Sequence, residues 1–366
     1  MRLLCGFALP ITTASFAMLL TACATTTSPT SNTTTTPKKP VVALVLGGGV
    51  AKGFAHIGVI KALEAHGIHP DMVVGSSAGA MVGALYASGK NAHEMMALAD
   101  TLDERALIDF TPSNQGLLEG KKLRQYIHTH TGGLPIERLP IRFVAVATDA
   151  NTGQAVAFDK GDTGLVVQAS ASIPKIFIAP RIPEPRGKKY IDGGQSALVP
   201  SHLAKTLGAD VVIAVDVLAD KRTAQVPHAN TTPKTLDITQ DGTQMTVRFG
   251  DLSKSIPIHQ TTLPFDVSGI FSQLPKQAQI ALPSAMVDFI SNPASIWQTL
   301  ETYQARITPA DIAASDVLIT PKLGHLSVID TAARDEMITL GEEATLAKIT
   351  DIKAAIDTAK PNHTTP

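Results

Sequence analysis

From residue 41 onward, apolar and polar positions alternate between two rhythms. Val41 to Leu46 is a continuous apolar run stopped by Gly47-Gly48-Gly49, the pattern of a strand buried on both faces. Phe54, Ile57, Ile60 and Leu63 then recur at helical spacing, and Gly67 supplies a stop. A second short strand is predicted at 71–74. The stretch 78–89 predicts a helix so rich in Ala and Gly that it can lie close over a sheet. Further helices are predicted near 92–107, 120–130, 163–171 and 200–207. Strands are predicted at 141–149, 156–158 and 210–217, with 188–194 read as a strand running into a glycine turn. Such alternation predicts an α/β domain with a mostly parallel sheet.

The rhythm breaks between about 219 and 293. Period-two stretches flank Asp241-Gly242, a hairpin signal, and a Pro-punctuated apolar stretch follows. This region reads as an insertion packed on the side of the domain, and a cap or membrane-facing element is the alternative. The pattern resumes with a helix over 294–307, a last strand over 315–321 and a largely helical 330–358. No internal repeat is present.

Composition narrows the picture. The 366 residues are 44% hydrophobic and 17% charged, enough to bury a large core. A formal net charge of -1 carries no global basic field, which argues against a nucleic-acid partner. Both cysteines, Cys5 and Cys23, precede residue 24, so the rest of the chain has no disulfide, thiolate metal site or cysteine nucleophile.

The first 22 residues read as a secretory signal: Arg2, then an interrupted apolar run, then small residues before Cys23. The interruptions argue against a transmembrane anchor. Leu20-Thr21-Ala22-Cys23 resembles a bacterial lipobox, which implies that Cys23 becomes the lipidated first mature residue and that Ala24 permits sorting to the outer membrane. Residues 23–40 are rich in Thr, Ser and Pro and read as a solvated tether. The folded domain is expected over 41–358, with a disordered tail over 359–366.

Chemistry concentrates in three places. Gly47 to Gly53 closes the first strand and opens a helix, aiming backbone N–H groups at one point. A P-loop fails because Lys52 precedes Gly53 and Phe54 rather than Ser or Thr. A dinucleotide site is weak because the second strand ends in Gly75-Ser76-Ser77, not an acidic residue. An oxyanion hole remains. It is favoured by Gly75-Ser76-Ser77-Ala78-Gly79, a Gly-x-Ser-x-Gly pattern between strand and helix, with Ser77 in the nucleophile position. Only one strand precedes this elbow, which disfavours the standard α/β-hydrolase order.

A serine needs a base. Asp192 is the leading candidate, because "YIDGG" ends a strand at a turn, where open α/β sheets place ligands. Asp149 and Asp216 also end strands and stand in reserve, or serve as capping and turn residues. Among the histidines, His56 reads as a packing residue or a support for the glycine loop. His66, His69 and His93 read as surface or loop positions, and His128 and His130 make a poor metal pair. His202, His259 and His325 could complete a Ser-Asp-His order, with His325 the least unlikely of them.

Together, "GGGVAKG" (47–53), "GSSAG" (75–79) and "DGG" (192–194), in that order, resemble the patatin-like phospholipases, acyl hydrolases with a Ser-Asp dyad. "ATDANTG" (147–153), "ASASIPKIF" (169–177) and "ADIAASDVLITPKLG" (310–324) support the resemblance. It implies a three-layer α/β/α fold with a mostly parallel central sheet, Ser77 as nucleophile and Asp192 as general base. It implies oxyanion donors at Gly47, Gly48 and Gly49, with Lys52 in the family's basic position. Gly53, Gly75, Gly79, Gly193 and Gly194 are its motif glycines, and the chemistry needs no metal or cofactor. One departure is Ala197, where many relatives carry asparagine. The implied partner is a membrane lipid or lysolipid. A non-catalytic lipid-binding lipoprotein and a small-ester esterase or thioesterase are the alternatives.

Overall fold

The structure is a computed structural model that describes residues 39–109, 111, 113–220, 236–241, 244–249, 252–257, 307–328 and 330–360. Cys23, the signal and tether up to residue 38, most of 219–293, the helix expected over 294–307 and the tail beyond 360 lie outside the described residues.

The chain begins with β1 (Val42–Leu46), whose five residues are all buried. A 3-10 turn over Val50–Phe54 runs into α1 (Ala55–Ala65). Next come β2 (Met72–Ser76), α2 (Ala78–Ala87) and α3 (Ala92–Thr101). The helix expected over 92–107 stops at Thr101, and a separate 3-10 turn takes Glu104–Leu107. Asn91 caps α3 by accepting from the Glu94 N–H, while Glu94 reaches back to the Asn91 N–H.

There follow β3 (Gly116–Leu118), α4 (Lys121–His130), β4 (Arg142–Asp149), β5 (Ala155–Phe158) and α5 (Thr163–Ser170). Short strands β6 (Lys175–Phe177), β7 (Arg181–Ile182) and β8 (Lys188–Ile191) lead to α6 (Ser201–Thr206) and β9 (Val211–Val215). β10 (Leu236–Asp241), β11 (Gln244–Phe249) and β12 (Leu252–Pro257) pair antiparallel as a separate three-stranded sheet. β10 ends at Asp241 and β11 begins at Gln244, opposite each other in the ladder, while Gly242 of the expected hairpin signal lies outside the described residues. The chain closes with α7 (Pro309–Ala313), β13 (Val317–Ile319), α8 (Arg334–Leu346) and α9 (Ile349–Thr358).

The main sheet runs β13-β9-β1-β2-β4-β8-β7, with β5 paired to β4. β13, β9, β1, β2 and β4 are mutually parallel. β5, β8 and β7 are antiparallel additions. The mostly parallel sheet is therefore present, and its continuous apolar runs are explained by burial on both faces. β1, β2 and β9 are buried throughout.

Strand order reverses at β1: β2 and β4 lie to one side, β9 and β13 to the other. Open α/β sheets form a crevice at the carboxyl ends of the strands at such a reversal. The glycine loop leaves β1 at that point.

Candidate active site

Ser77 follows β2 directly and sits at the head of α2 with φ 53 and ψ -121. A positive φ is strained for any residue with a Cβ. The motif glycines are sites of close approach. A side chain at Gly75 would meet the Gly79 carbonyl at 2.5 Å, and one at Gly79 would meet the Leu46 carbonyl at 2.0 Å. A side chain at Gly53 would strike Ala78 Cβ at 2.7 Å. The head of α2 is thus pressed between β1 and the glycine loop, and the strand reverses into the helix with the hydroxyl carried on the bend.

Nothing in the sequence pattern pointed to what holds this bend. The Ser77 N–H donates to Ser170 Oγ at 2.9 Å, and the Ser170 hydroxyl donates to the Val146 carbonyl at 2.6 Å. Ser170 is fully buried at the end of α5. The only trace of it in the sequence is the small-residue stretch "ASASIP" after an apolar helix.

Asp192 is also buried, 1% exposed. Its backbone N–H donates to the Ser172 carbonyl at 2.9 Å, and its own carbonyl accepts from Thr148 Oγ1 at 2.8 Å. Its Oδ1 accepts from the Gly194 N–H at 2.7 Å. A side chain at Gly193 would strike the Val146 carbonyl at 2.1 Å, so the turn after Asp192 lies flat against β4. The same turn is closed by the Ala197 N–H, which donates to the Gly193 carbonyl at 2.8 Å.

The strand expected before Asp192 is present and ends at the glycine turn, but it is not one of the parallel strands. β8 runs antiparallel to β4, entering the sheet from its carboxyl-end edge, and pairs only as Thr148↔Ile191 and Asp149↔Tyr190. Asp192 reaches the crevice because this strand is four residues long and stops there.

Burial pushes the Asp192 carboxyl up to about 7, against the Ser77 hydroxyl and the Gly194 N–H, which both favour the charged form. Oδ2 has no fully formed hydrogen bond. The Ser77–Asp192 contact is therefore looser than a tight hydrogen bond, as such contacts often are before substrate binds.

The glycine loop also differs from expectation. The Gly47 N–H donates to the Val215 carbonyl at 3.1 Å, and the Gly48 N–H to the Leu198 carbonyl at 3.0 Å. Both donors are spent on holding the loop between β9 and the turn before α6. Among the described residues the Gly49 N–H has no such partner. A side chain at Gly48 would come within 3.3 Å of Ser77 Cβ, so the loop lies against the nucleophile candidate. Val50, next in the loop, takes φ 51 despite its β-branch.

Lys52 is corrected as well. It is fully buried, its N–H donates to the Gly49 carbonyl at 3.1 Å, and Nζ donates to the Leu323 carbonyl at 2.6 Å. It ties the loop to the segment after β13 rather than offering these donors to a ligand.

His56 supports the loop from below. Its Nε2 donates to the Gly47 carbonyl at 2.8 Å, which requires the proton on that nitrogen. Burial lowers its pKa to about 4, outweighing the Gly47 bond, so the ring is neutral at pH 7.

The reserve groups stand elsewhere. Asp149 accepts from the Asn151 and Thr152 N–H groups and pairs with Lys188 at 3.2 Å, which lowers its pKa and makes it a turn anchor. Asp216 Oδ1 accepts from the Leu218 N–H at 3.0 Å. His325 meets Glu336 at 2.7 Å on the surface, and His202 is exposed. His259 lies outside the described residues. Among the described residues no cluster of three or more His, Cys, Asp or Glu is arranged to hold a metal ion.

Comparison with known proteins shows what the chain is similar to. Residues 44–205 match the family model for patatin-like phospholipase. An uncharacterised NTE family protein of Mycobacterium bovis is 38% identical over 178 residues, covering 48% of this chain and 48% of that one. Patatin-like phospholipase domain-containing protein 6 of Homo sapiens is 33% identical over 181 residues, 48% of this chain and 13% of that one. Lysophospholipase nte1 of Emericella nidulans is 36% identical over 181 residues, 48% of this chain and 12% of that one. The chain thus spans about half the length of the mycobacterial relative and less of the others. Among solved structures, VipD of Legionella pneumophila aligns with a TM-score of 0.43 at 14% identity, covering 88% of this chain and 67% of that one. Residues 44–205 are a patatin-like phospholipase domain with relatives in the NTE family.

Proposed function

We propose that the protein is a serine lipid acyl hydrolase, of phospholipase A or lysophospholipase type, working through a Ser77–Asp192 dyad. The observation that carries this reading is a buried carboxyl raised to about 7 and facing a serine on a strained elbow. A base with a pKa near the working pH is both deprotonated often enough and basic enough to accept the serine proton.

In the first step Ser77 Oγ attacks the ester carbonyl while Asp192 Oδ2 takes its proton. The resulting oxyanion is stabilised by the Gly49 N–H and by the Ala78 N–H, which has no partner inside its own helix. Asp192 returns the proton to the leaving alcohol, and the carbonyl re-forms as an acyl-enzyme. Water, deprotonated by Asp192, then attacks this ester, and the fatty acid leaves as Ser77 regains its proton.

Lipid-product mass spectrometry with wild type and Ser77→Ala tests the reading. Free fatty acid from phospholipid or lysophospholipid is expected only with wild type. Equal release by both proteins overturns it, and release only from short soluble esters favours the small-ester alternative. Failure of a fluorophosphonate probe to label Ser77 favours a lipid-binding protein without turnover. The lipobox resemblance supports a lipid anchor on Cys23 and a place in the bacterial envelope. A mature N-terminus other than Cys23, or no acyl mass on it, overturns that part.

A further inference from the structure

We propose that the β7–β8 hairpin and the adjoining β6 form a docking surface for an anionic phospholipid bilayer, set at the mouth of the site. This rests on the acyl hydrolase reading for its location, but not for its chemistry.

Residues 175–189 hold five cations, Lys175, Arg181, Arg186, Lys188 and Lys189, against the single carboxylate of Glu184, in a chain whose net charge is -1. Four of the five are exposed and Lys189 is half-buried. Glu184 is already taken by Arg124 at 2.9 Å, and Lys188 by Asp149. Among the described residues no carboxylate pairs with Lys175, Arg181, Arg186 or Lys189. The polar partners of Arg181 and Lys189 are neutral oxygens, the Gly187 carbonyl and Gln115 Oε1.

The register sharpens the point. Arg181 stands directly opposite Lys189 across the β7–β8 ladder. Like charges in that position repel and weaken a two-stranded pairing. An anionic surface removes that repulsion, so the hairpin is better stabilised against such a surface than in water. Half-buried Ile176 and Phe177 directly follow Lys175 on β6, which gives that cation apolar neighbours. Mixed cationic and apolar surface suits a lipid headgroup region better than a small soluble anion.

The placement links the surface to the site. β8 carries the chain from Lys188 straight to Asp192, four residues later, a span of about 13 Å at strand rise. A bilayer held on the hairpin therefore lies within one lipid headgroup and glycerol backbone of the proposed base.

The test uses the full chain with Cys23→Ser, so that no acyl anchor contributes. Binding is measured to vesicles of phosphatidylcholine alone and of phosphatidylcholine mixed with phosphatidylglycerol. The mixed vesicles are expected to bind about 100-fold more tightly at low salt, falling as salt rises. Combined Lys175→Gln, Arg181→Gln, Arg186→Gln and Lys189→Gln substitution is expected to erase that preference. Hydrolysis of a soluble short-chain ester should stay as in the parent, and the melting temperature should not fall, since the Arg181–Lys189 repulsion is removed with the charges. Equal binding to both vesicles, or an unchanged preference in the fourfold variant, overturns the proposal. So does displacement by millimolar inorganic phosphate at constant ionic strength, which marks a small-anion site. A parent inactive on every ester overturns the hydrolase reading instead, and the vesicle result stands apart from it.

Discussion

Ser77 and Ser170 are joined by one hydrogen bond across 93 residues of chain, the Ser77 N–H donating to Ser170 Oγ at 2.9 Å. The same hydroxyl donates to the Val146 carbonyl on β4. One buried oxygen therefore pins the strained elbow to the neighbouring strand. The next turn of the same segment accepts the Asp192 N–H at Ser172. The stretch 170–172 thus sets the positions of both members of the proposed dyad.

Ser170→Ala leaves the buried Ser77 N–H without a partner, at a cost of about 1–3 kcal/mol in stability. It is also expected to lower kcat on a soluble ester about tenfold with KM little changed, since the loosened group is the nucleophile rather than a binding contact. Ile352→Ala, a buried site in α9, serves as a control of comparable stability loss. If both variants lose kcat equally, Ser170 acts only through stability.

Ser77→Gly should abolish turnover and raise stability. Glycine adopts φ 53 without the penalty a Cβ carries, and relief of such strain is worth about 1 kcal/mol or more. Ser77→Ala keeps the strain and should not share the gain. Thermal melts of the two variants beside wild type decide it.

The Asp192 carboxyl, raised from 3.8 to about 7, makes a pH-dependent prediction. Activity should rise with pH through about 7, as the base becomes charged. For stability the folded state holds a proton that the unfolded state gives up near pH 4. The favourable contribution is fully present below pH 4 and is lost as pH rises through 7. Asp192→Asn cannot ionise. It should melt close to wild type at pH 4 and above it at pH 8, by an amount on the order of a few kcal/mol. A constant offset between the two melts across that range contradicts burial of the charge.

His56 behaves in the opposite sense. Its pKa falls from 6.5 to about 4, so its contribution is fully present above 6.5 and is lost as pH falls through 4. His56→Leu should remove that acid-side loss. It should also free the Gly47 carbonyl, loosen the glycine loop and reduce kcat. Stability measured from pH 3 to 8, with kcat at pH 8, checks both parts. An unchanged kcat separates His56 from the loop's function.

Local sequence carried much of this. Apolar runs at 41–46 and 210–217 determined buried strands, and the Ala/Gly stretch after Ser77 determined a helix able to press on β1. Gly75-x-Ser77-x-Gly79 marked a turn that only small residues permit. Each of these depends on residues near one another in the chain, and periodicity and steric size report them. Only the tertiary structure decided that β8 runs antiparallel, because strand direction depends on where a hairpin folds back and not on the residues of the strand. It also decided that the Gly47 and Gly48 amides are spent on the Val215 and Leu198 carbonyls, and that Lys52 reaches Leu323. Ser170 belongs with these: a small serine after an apolar helix has no pattern of its own. Its role arises from a hydrogen bond between segments 93 residues apart, which exists only once β2, β4 and α5 are packed together.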